Sequence, residues 1–297
     1  MLGAMAGDIA GSIYERRNIK TKDFDFFSPG CRFTDDTVMT AAVGEALLFW
    51  DSLGENRPQI PDFGTFLKKW GRTFPRVGYG SKFKNWVLSE DTEPYESWGN
   101  GSAMRVSPCG WAVPLGSWFQ DGLEDVLKLA RQSAEVTHNH PEGIKGAQAA
   151  ALAIFLARHG RDSGDIPGCK RKIKGLISEL FDYNLDRTLA EIRPNYRFHV
   201  SCQKSVPEAI IAFLESTDFE DAVRNAISLG GDSDTIGAIT GSIAEAAYGV
   251  PDWIRSRVLK FLEPSLENVL KRQEEHLAGR RKAEKSLPAD RNQTLRI

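Results

Sequence analysis

Apolar residues recur at three- and four-residue intervals along most of the chain. Clear examples are Met39, Val43, Leu47 and Trp50, then Leu123, Val126 and Ala130, then Ile144, Ala147, Ala151 and Phe155. This spacing places the apolar side chains on one face of a helix, and the alternating pattern typical of strands is scarce. The hydrophobic pattern therefore predicts an all-α fold.

Between the periodic segments lie glycine- and proline-rich stretches that are typical of loops, namely SPG at Ser28, RPQIPD at Arg57 and RVGYGS at Arg76. No internal repeat or Ser/Gly-rich linker divides the chain. We expect one compact multi-helix domain over residues 1–270 with long active-site loops. Residues 271–297 are charged and poor in apolar side chains, which predicts a C-terminal helix that frays into a tail.

The composition narrows the class of protein. The 297 residues are 41% hydrophobic, enough for a buried core, and the net charge of -2 argues against a global basic surface for nucleic acid. The four cysteines form no CxxC pair, so we expect reduced thiols. No signal-peptide core or run of about 20 apolar residues is present. These features predict a cytoplasmic monomer without membrane contact.

Two short acidic clusters are the strongest chemical signal. Each combines one threonine with two aspartates at a predicted helix start: Thr34, Asp35 and Asp36 in the first, and Asp232, Asp234 and Thr235 in the second. Either cluster alone is typical of a helix cap. If the two meet, four carboxylates would repel one another unless cations were bound. An all-oxygen ligand set suits two Mg²⁺ or Mn²⁺ ions and disfavours zinc.

Small residues follow the second cluster at three- and four-residue steps, at Gly237, Gly241, Ala244 and Ala247. They give one helix face little side-chain bulk, so a neighbouring backbone can approach closely. Each glycine inside a helix costs roughly 1 kcal/mol relative to alanine, and tight packing must compensate. Packing around a metal centre and ordinary core packing both remain open.

Six motifs, in this order, resemble those of the ADP-ribosylglycohydrolases: GAMAGDIAGSIYE, RFTDDTVMT, RVGYGS, SWGNGSAMRVSP, THNHPEGIKGAQAA and GGDSDTIGAITGSIAEAAYG. The resemblance covers roughly residues 1 to 255. It implies an all-α hydrolase with a binuclear magnesium or manganese centre. The implied reaction releases ADP-ribose from an acceptor by cleaving an N- or O-glycosidic bond.

The resemblance also implies the metal ligands. One ion would be held by Thr34, Asp35, Asp36 and Asp234, and the other by Asp232, Asp234, Thr235 and Asp35. Two aspartates would then be shared between the ions.

Three carboxylates have implied catalytic roles. Glu15 matches the family's mobile glutamate, which gates the cleft and would act on the leaving group, whereas Asp35 or Asp36 would assist deprotonation of water. Tyr14 stands before Glu15 where many family members have proline. This departure concerns the shape of the glutamate loop and the choice of acceptor.

Two loops and one histidine have implied substrate contacts. The glycine-rich loop with Gly78, Gly80 and Ser81 offers backbone N–H groups to a diphosphate. His138 would contact a ribose. The remaining implied cleft residues are Ser97, Trp98, Gly99, Asn100 and Gly101.

The residues leave two other functions open. One is a module that binds ADP-ribose without cleaving it, and the other is a binuclear-metal phosphoesterase that cleaves the diphosphate. The acceptor also stays open, because acceptor contacts lie in variable loops. An ADP-ribosylated protein, a small molecule or a nucleic-acid base would all suit, although the net charge does not favour nucleic acid.

Overall fold

The computed structural model describes residues 1–115 and 119–286. Within these ranges the chain forms α-helices, one short 3₁₀ helix at Gly54–Asn56 and no β-strand, which confirms the predicted all-α fold. The helices are α1 Leu2–Gly11, α2 Asp35–Ser52, α3 Phe63–Thr73, α4 Ser81–Leu88, α5 Gly101–Met104, α6 Ser107–Ala112, α7 Phe119–Glu135, α8 Pro141–Ser163, α9 Ile166–Phe181, α10 Leu189–Ile192, α11 Cys202–Leu214, α12 Phe219–Ile227, α13 Ser233–Tyr248, α14 Asp252–Leu259 and α15 Pro264–Ser286.

Helices α1 and α13 form the centre of the molecule. All ten residues of α1 are buried, and α13 is buried except at Glu245 and Tyr248. Helix α13 packs against α1, α8, α11 and α12. Both helices consist mostly of small and apolar residues, so they suit this central position, where no continuous polar face is needed for solvent.

Glycines allow α1 and α13 to pack backbone against backbone. A Cβ atom placed on Gly7 would lie 1.9 Å from the Gly237 carbonyl oxygen, and one on Gly3 would lie 2.2 Å from the Gly241 oxygen. At Gly11 the nearest atom would be the Ser233 oxygen at 2.4 Å. We call this contact the glycine seam. The small-residue face of α13 therefore packs against α1, with no space for a side chain between them.

The C-terminal helix packs against α2. Gln273 donates a 2.8 Å hydrogen bond to the Gly44 carbonyl oxygen, while His276 and Arg280 contact the Asp51 carboxylate at 3.0 and 2.7 Å. Helix α15 thus continues through residue 270, where the sequence predicted the main domain to end. Residues 287–297 of the predicted tail lie outside the described residues.

Three long loops gather at the N-terminal ends of α2 and α13: residues 12–34, 89–100 and 193–201. The last two are joined by an isolated antiparallel β-bridge between Gly99 and Ser201. All four cysteines are buried and free. Among the described helices, none has both the length and the hydropathy needed to cross a bilayer.

Candidate metal centre and active site

A group of buried carboxylates lies where α1, α2 and α13 meet. One carboxylate oxygen each from Asp8, Asp36 and Asp234 lies within 4.8 Å of the other two. Thr235 of the second acidic cluster donates to Asp36 Oδ2 at 3.4 Å, so the structure brings the two clusters together. This convergence is the contact that a shared metal centre requires.

The glycine seam positions Asp8 in this group. Asp8 lies on α1 between Gly7 and Gly11, so the close approach of α1 to α13 carries its carboxylate towards Asp234. The sequence analysis did not identify Asp8. The available signal was a single charge inside GAMAGDIAG, an otherwise apolar and glycine-rich helix, because a buried carboxylate in such surroundings needs polar partners.

Asp8 finds those partners at the start of α2. Its Oδ2 accepts from the backbone N–H groups of Thr34 at 2.9 Å and Thr37 at 3.1 Å, and also from the Thr37 hydroxyl. Its Oδ1 accepts the Thr34 hydroxyl at 2.6 Å. Burial raises the pKa of Asp8 to about 6, although these hydrogen bonds act in the opposite direction. The Thr34 hydroxyl donates to Asp8 and accepts the Asp36 N–H at 3.4 Å, which leaves one Oγ1 lone pair for a further partner.

Asp35 and Asp36 begin α2 but face different surroundings. Asp35 is half-buried, and burial followed by the nearby Asp8 charge raises its pKa to about 8. Asp36 is buried, and its Oδ1 has no hydrogen-bond partner in the part of the chain that the structure describes. Burial and then Asp8 raise the pKa of Asp36 well above its usual value. An ionised carboxylate in this position requires a cation for neutralisation.

Asp232 occupies the N-cap position of α13 but does not cap the helix through its side chain. Its Oδ2 instead accepts a 2.7 Å hydrogen bond from the Asn100 side chain, which also contacts Ser205 Oγ at 3.1 Å. Burial raises the pKa of Asp232 to about 6. Burial and then Asp232 raise the pKa of Asp234 well above its ordinary value.

The carboxylate cluster fits hard divalent cations. Among the described residues, no lysine, arginine or histidine forms an ion pair with Asp8, Asp35, Asp36, Asp232 or Asp234. Several like charges without a counter-charge are strongly unfavourable at this burial. The donor atoms are carboxylate and hydroxyl oxygens, which Mg²⁺ and Mn²⁺ accept.

Glu15 lies on the loop after α1 and is half-buried. It is close enough for its charge to contribute to the raised pKa values of Asp35, Asp232 and Asp234. Asn18 holds this loop in place, since its side chain donates to the Glu15 carbonyl oxygen at 2.9 Å and accepts from Gly231 N–H at 2.7 Å.

The glycine loop after α3 borders Asp35. Gly78 has a φ of 121°, and a Cβ there would lie 2.8 Å from Asp35 Oδ1. The Asp35 N–H donates to the Val77 carbonyl oxygen at 3.1 Å. Gly80 precedes α4, and Ser81 is the first residue of that helix. The loop therefore brings backbone close to the carboxylate cluster, as a diphosphate site beside it would require.

The loop from Ser97 to Gly101 contacts Asp232 through Asn100 and lies next to His138. Trp98 is 47% exposed, while Gly99 N–H donates to Ser97 Oγ at 3.2 Å. A Cβ on Gly101 would lie 3.0 Å from His138 Nε2. Each of the two loops thus reaches one carboxylate of the cluster, through Gly78 at Asp35 and through Asn100 at Asp232.

Comparison with known proteins identifies the family. The model of the ADP-ribosylglycohydrolase family matches residues 1–286. The chain belongs to this family. This ADP-ribosylglycohydrolase is 27% identical to human ADP-ribosylhydrolase ARH3 over 318 residues, covering 84% of each protein. It is 26% identical to the ADP-ribosyl-[dinitrogen reductase] glycohydrolase of Rhodospirillum rubrum, covering 90% of this chain and 85% of that protein.

A solved structure described as an ADP-ribosylglycohydrolase-related protein complex has the same fold. The TM-score is 0.64 at 24% identity, over 94% of this chain and 95% of that one. The family match and the named relatives confirm that the protein is a glycohydrolase enzyme, as the sequence motifs implied.

The ADP-ribosylglycohydrolase uses anchoring residues that sequence reasoning missed. Besides Asp8 and Asn18, the Lys20 ammonium donates to the carbonyl oxygens of Tyr196 and Leu229. The bond to Leu229 attaches the Glu15 loop to the segment that leads into Asp232, and the bond to Tyr196 attaches it to the loop 193–201. Their acceptors are backbone atoms distant in sequence, so no side-chain motif marks them.

Proposed function

We propose that this ADP-ribosylglycohydrolase hydrolyses the glycosidic bond between ADP-ribose and an acceptor, and that it requires two Mg²⁺ or Mn²⁺ ions. The observation that carries the proposal is the convergence of the buried Asp8, Asp36 and Asp234, which form no ion pair with a cationic side chain within residues 1–115 and 119–286. This charge arrangement is stable only with bound cations or protons.

Six side chains would hold the ions: Thr34, Asp35, Asp36, Asp232, Asp234 and Thr235. When bound, the ions supply Lewis acidity that orients ribose hydroxyls and lowers the pKa of a water molecule. Asp8 would be a positioning residue, because its carboxylate accepts hydrogen bonds from the backbone N–H and the hydroxyl of Thr34. Asn100 does the same for Asp232.

The two proton transfers of the reaction would fall to carboxylates of this site. Hydrolysis of a glycosidic bond needs a base for the attacking water and an acid for the leaving group. Asp35, which is half-buried beside Gly78, would accept a proton from the attacking water, and Asp36 is the second candidate for this role. Glu15, on a loop at the edge of the cluster, protonates the departing acceptor atom.

The surrounding loops would bind the rest of ADP-ribose. The N–H groups of Gly78, Gly80 and Ser81 would contact the diphosphate, and a helix N-terminus such as that of α4 favours negative charge. Trp98 offers an exposed aromatic face. Ser97, Gly99, Asn100 and Gly101 complete this wall, and His138 lies against it.

The test is a product assay on a panel of ADP-ribosylated acceptors that includes arginine, serine and small-molecule conjugates. Mg²⁺ or Mn²⁺ should support release of ADP-ribose, and exhaustive chelation should abolish it. AMP as the product would indicate phosphoesterase activity, and binding without any product would indicate a recognition module. Full activity in protein that elemental analysis shows to be metal-free would refute the metal requirement.

A variant that removes one negative charge tests whether the carboxylate cluster is responsible for the activity. Asp35→Asn keeps the side-chain shape and should lower kcat/KM by orders of magnitude, because the loss lies in transition-state stabilisation. Asp125→Asn, which changes an exposed aspartate of α7, is the matched control and should retain the wild-type rate. Equal rates for both variants would show that Asp35 only begins helix α2 and does not contribute to catalysis.

A further inference from the structure

Basic side chains are concentrated on two of the loops beside the carboxylate cluster. Residues 15–20 and 193–199 contain five lysine or arginine residues and one carboxylate, whereas the whole chain has 38 basic and 40 acidic residues. The net charge of the chain therefore does not describe the charge of this surface.

Three of these residues, Lys20, Arg193 and Arg197, form what we call the cationic patch. The Lys20 ammonium and Arg197 Nη1 both donate to the Tyr196 carbonyl oxygen, at 2.8 and 3.1 Å. Arg193 is half-buried, and its Nε donates to Ser228 Oγ at 3.0 Å. Burial, and then the charges of Arg197 and Arg193, lower the pKa of Lys20. The three cations are thus close enough to repel one another.

The cationic patch has no acidic partner. Within the described ranges, no carboxylate forms an ion pair with Lys20, Arg193 or Arg197. Their acceptors are carbonyl and hydroxyl oxygens, which hold the side chains without neutralising them. Clustered like charges favour an anion from solution, and the donors of arginine match the geometry of a phosphate group.

The cationic patch lies against the segment that leads into the carboxylate cluster. A Cβ on Gly230 would lie 3.2 Å from the Lys20 ammonium nitrogen, and Asp232 is two residues further along the chain. Lys20 also shares its loop with Glu15, the acid proposed for the departing acceptor atom. The proposed diphosphate contacts lie on another loop, at residues 78–81. The cationic patch is therefore available to an anionic group of the acceptor.

An exposed aromatic side chain adjoins the cationic patch. Phe198 follows Arg197 directly and is 48% exposed. Cations beside an aromatic ring are the combination that binds single-stranded nucleic acid, since the cations contact phosphates and the ring stacks on a base. An acidic peptide would use the charges but not the ring. The arrangement favours a nucleic-acid strand over an acidic peptide.

We infer that the cationic patch and Phe198 bind single-stranded nucleic acid, so that an ADP-ribosylated strand is an acceptor of this enzyme. Arg193 and Arg197 contact phosphates, and Phe198 stacks on a base. Lys20 holds the two loops together and adds its charge. The role of the strand as acceptor rests on the proposed function, whereas its binding does not.

Binding can be measured by fluorescence anisotropy on the full-length protein with Mg²⁺ and a labelled oligothymidylate of about 12 nucleotides. Arg197→Gln should weaken binding about twofold to fivefold. It should also lower the slope of log Kd against log salt concentration by about 0.7, the value for one phosphate contact on a single strand. Arg197→Lys should restore the slope. Arg171→Gln, which changes an exposed arginine of α9, is the matched control and should bind like wild type.

A second pair of variants tests the aromatic contact. Phe198→Ala should weaken binding by at least about fivefold, because one base loses its stacking partner. Phe49→Ala is the matched control, since Phe49 lies on α2 with 50% exposure, and it should bind like wild type. An oligoglutamate of equal charge should compete only weakly with the labelled oligonucleotide.

Wild-type protein that does not bind the oligonucleotide would overturn the inference, as would equal weakening by Arg197→Gln and Arg171→Gln. Unchanged binding by Phe198→Ala, or competition by oligoglutamate as strong as that by unlabelled oligonucleotide, would overturn it in favour of an acidic protein partner. A protein that binds the oligonucleotide but releases ADP-ribose from no acceptor, including an ADP-ribosylated oligonucleotide, would refute the proposed function and still support the binding site.

Discussion

Substitution of Gly7 by alanine tests whether the glycine seam builds the active site. The new Cβ would lie 1.9 Å from the Gly237 carbonyl oxygen, whereas ordinary contact begins at 3.4 Å, so α1 and α13 must separate by about 1.5 Å along that line. The nearest atoms are all backbone, namely the oxygen and carbon of Gly237 and the nitrogen of Ala238, and none can rotate away.

The expected change in the free energy of unfolding follows from two opposing effects. Alanine in place of glycine favours the helix by about 1 kcal/mol. Overpacking costs about 1 to 3 kcal/mol, and a rigid backbone contact lies at or above the upper end. We expect a net loss in the free energy of unfolding of at least ~2 kcal/mol, which lowers the melting temperature by roughly 4 to 8 °C for a protein of this size.

Activity should respond more strongly than stability. Asp8 follows Gly7 directly, so displacement of α1 moves the Asp8 carboxylate and, through it, Thr34. A misplacement of about 1 Å at a catalytic centre can cost roughly a hundredfold in rate, and we expect a loss of that order in kcat/KM.

The assay is a pair of thermal melts and a rate measurement, with Gly175→Ala as the control. Gly175 lies in α9, and a Cβ there would meet none of the described atoms within 4 Å apart from its chain neighbours and its own helix backbone. This substitution should therefore raise the melting temperature by about 2 to 4 °C and leave the rate unchanged. A Gly7→Ala protein that melts at or above wild type would refute the close packing of α1 on α13.

Three further predictions concern the charges and the loop. In chelator, the melting temperature should fall as the pH rises from about 5 to 8, because the fold raises the pKa of Asp35 from 3.8 to about 8 and so binds protons that the unfolded chain has released. Saturating Mg²⁺ should flatten this slope, and stability that increases with pH in chelator would contradict the carboxylate cluster. Asp234→Asn should melt at or above wild type in chelator, since it relieves repulsion, but should gain much less than the roughly 2.7 kcal/mol that wild type gains from Mg²⁺ at a hundredfold excess over Kd. Equal loss of stability in both conditions would make Asp234 an ordinary helix-start residue. Asn18→Ala should reduce kcat/KM by about tenfold at unchanged Mg²⁺ affinity, since it removes bonds worth about 1 kcal/mol that hold the Glu15 loop, and a wild-type rate would show that the loop is positioned without Asn18.

Local patterns sufficed for the parts of the fold in which one face of a helix meets the core. The apolar periodicity predicted α2, α7 and α8, and the glycine and proline clusters predicted the loops between helices. The two acidic clusters were visible because each repeats the same residue types next to a helix start. Whether either was only a cap could not be decided from sequence, since a cap and a metal ligand use the same atoms.

Contacts between residues far apart in the sequence could not be predicted from local patterns. Asp8 acts through hydrogen bonds to Thr34 and Thr37, and α1 reaches the cluster only by packing on α13, far along the chain. The Lys20 ammonium contacts backbone carbonyl oxygens, which every residue possesses, so the pairing has no sequence signature. Such partners follow from the fold and not from local composition.

The glycine seam also constrains the order in which the protein can fold. It joins residue 7 to residue 237, so about three quarters of the 297 residues must be closed into a loop before the two helices touch. Contacts between such distant segments form slowly. During synthesis, α1 is made first and must wait for α13, while its small, apolar surface stays uncovered. A nascent chain that ends before α13 can therefore contain most of the helices and still lack the cluster of carboxylates.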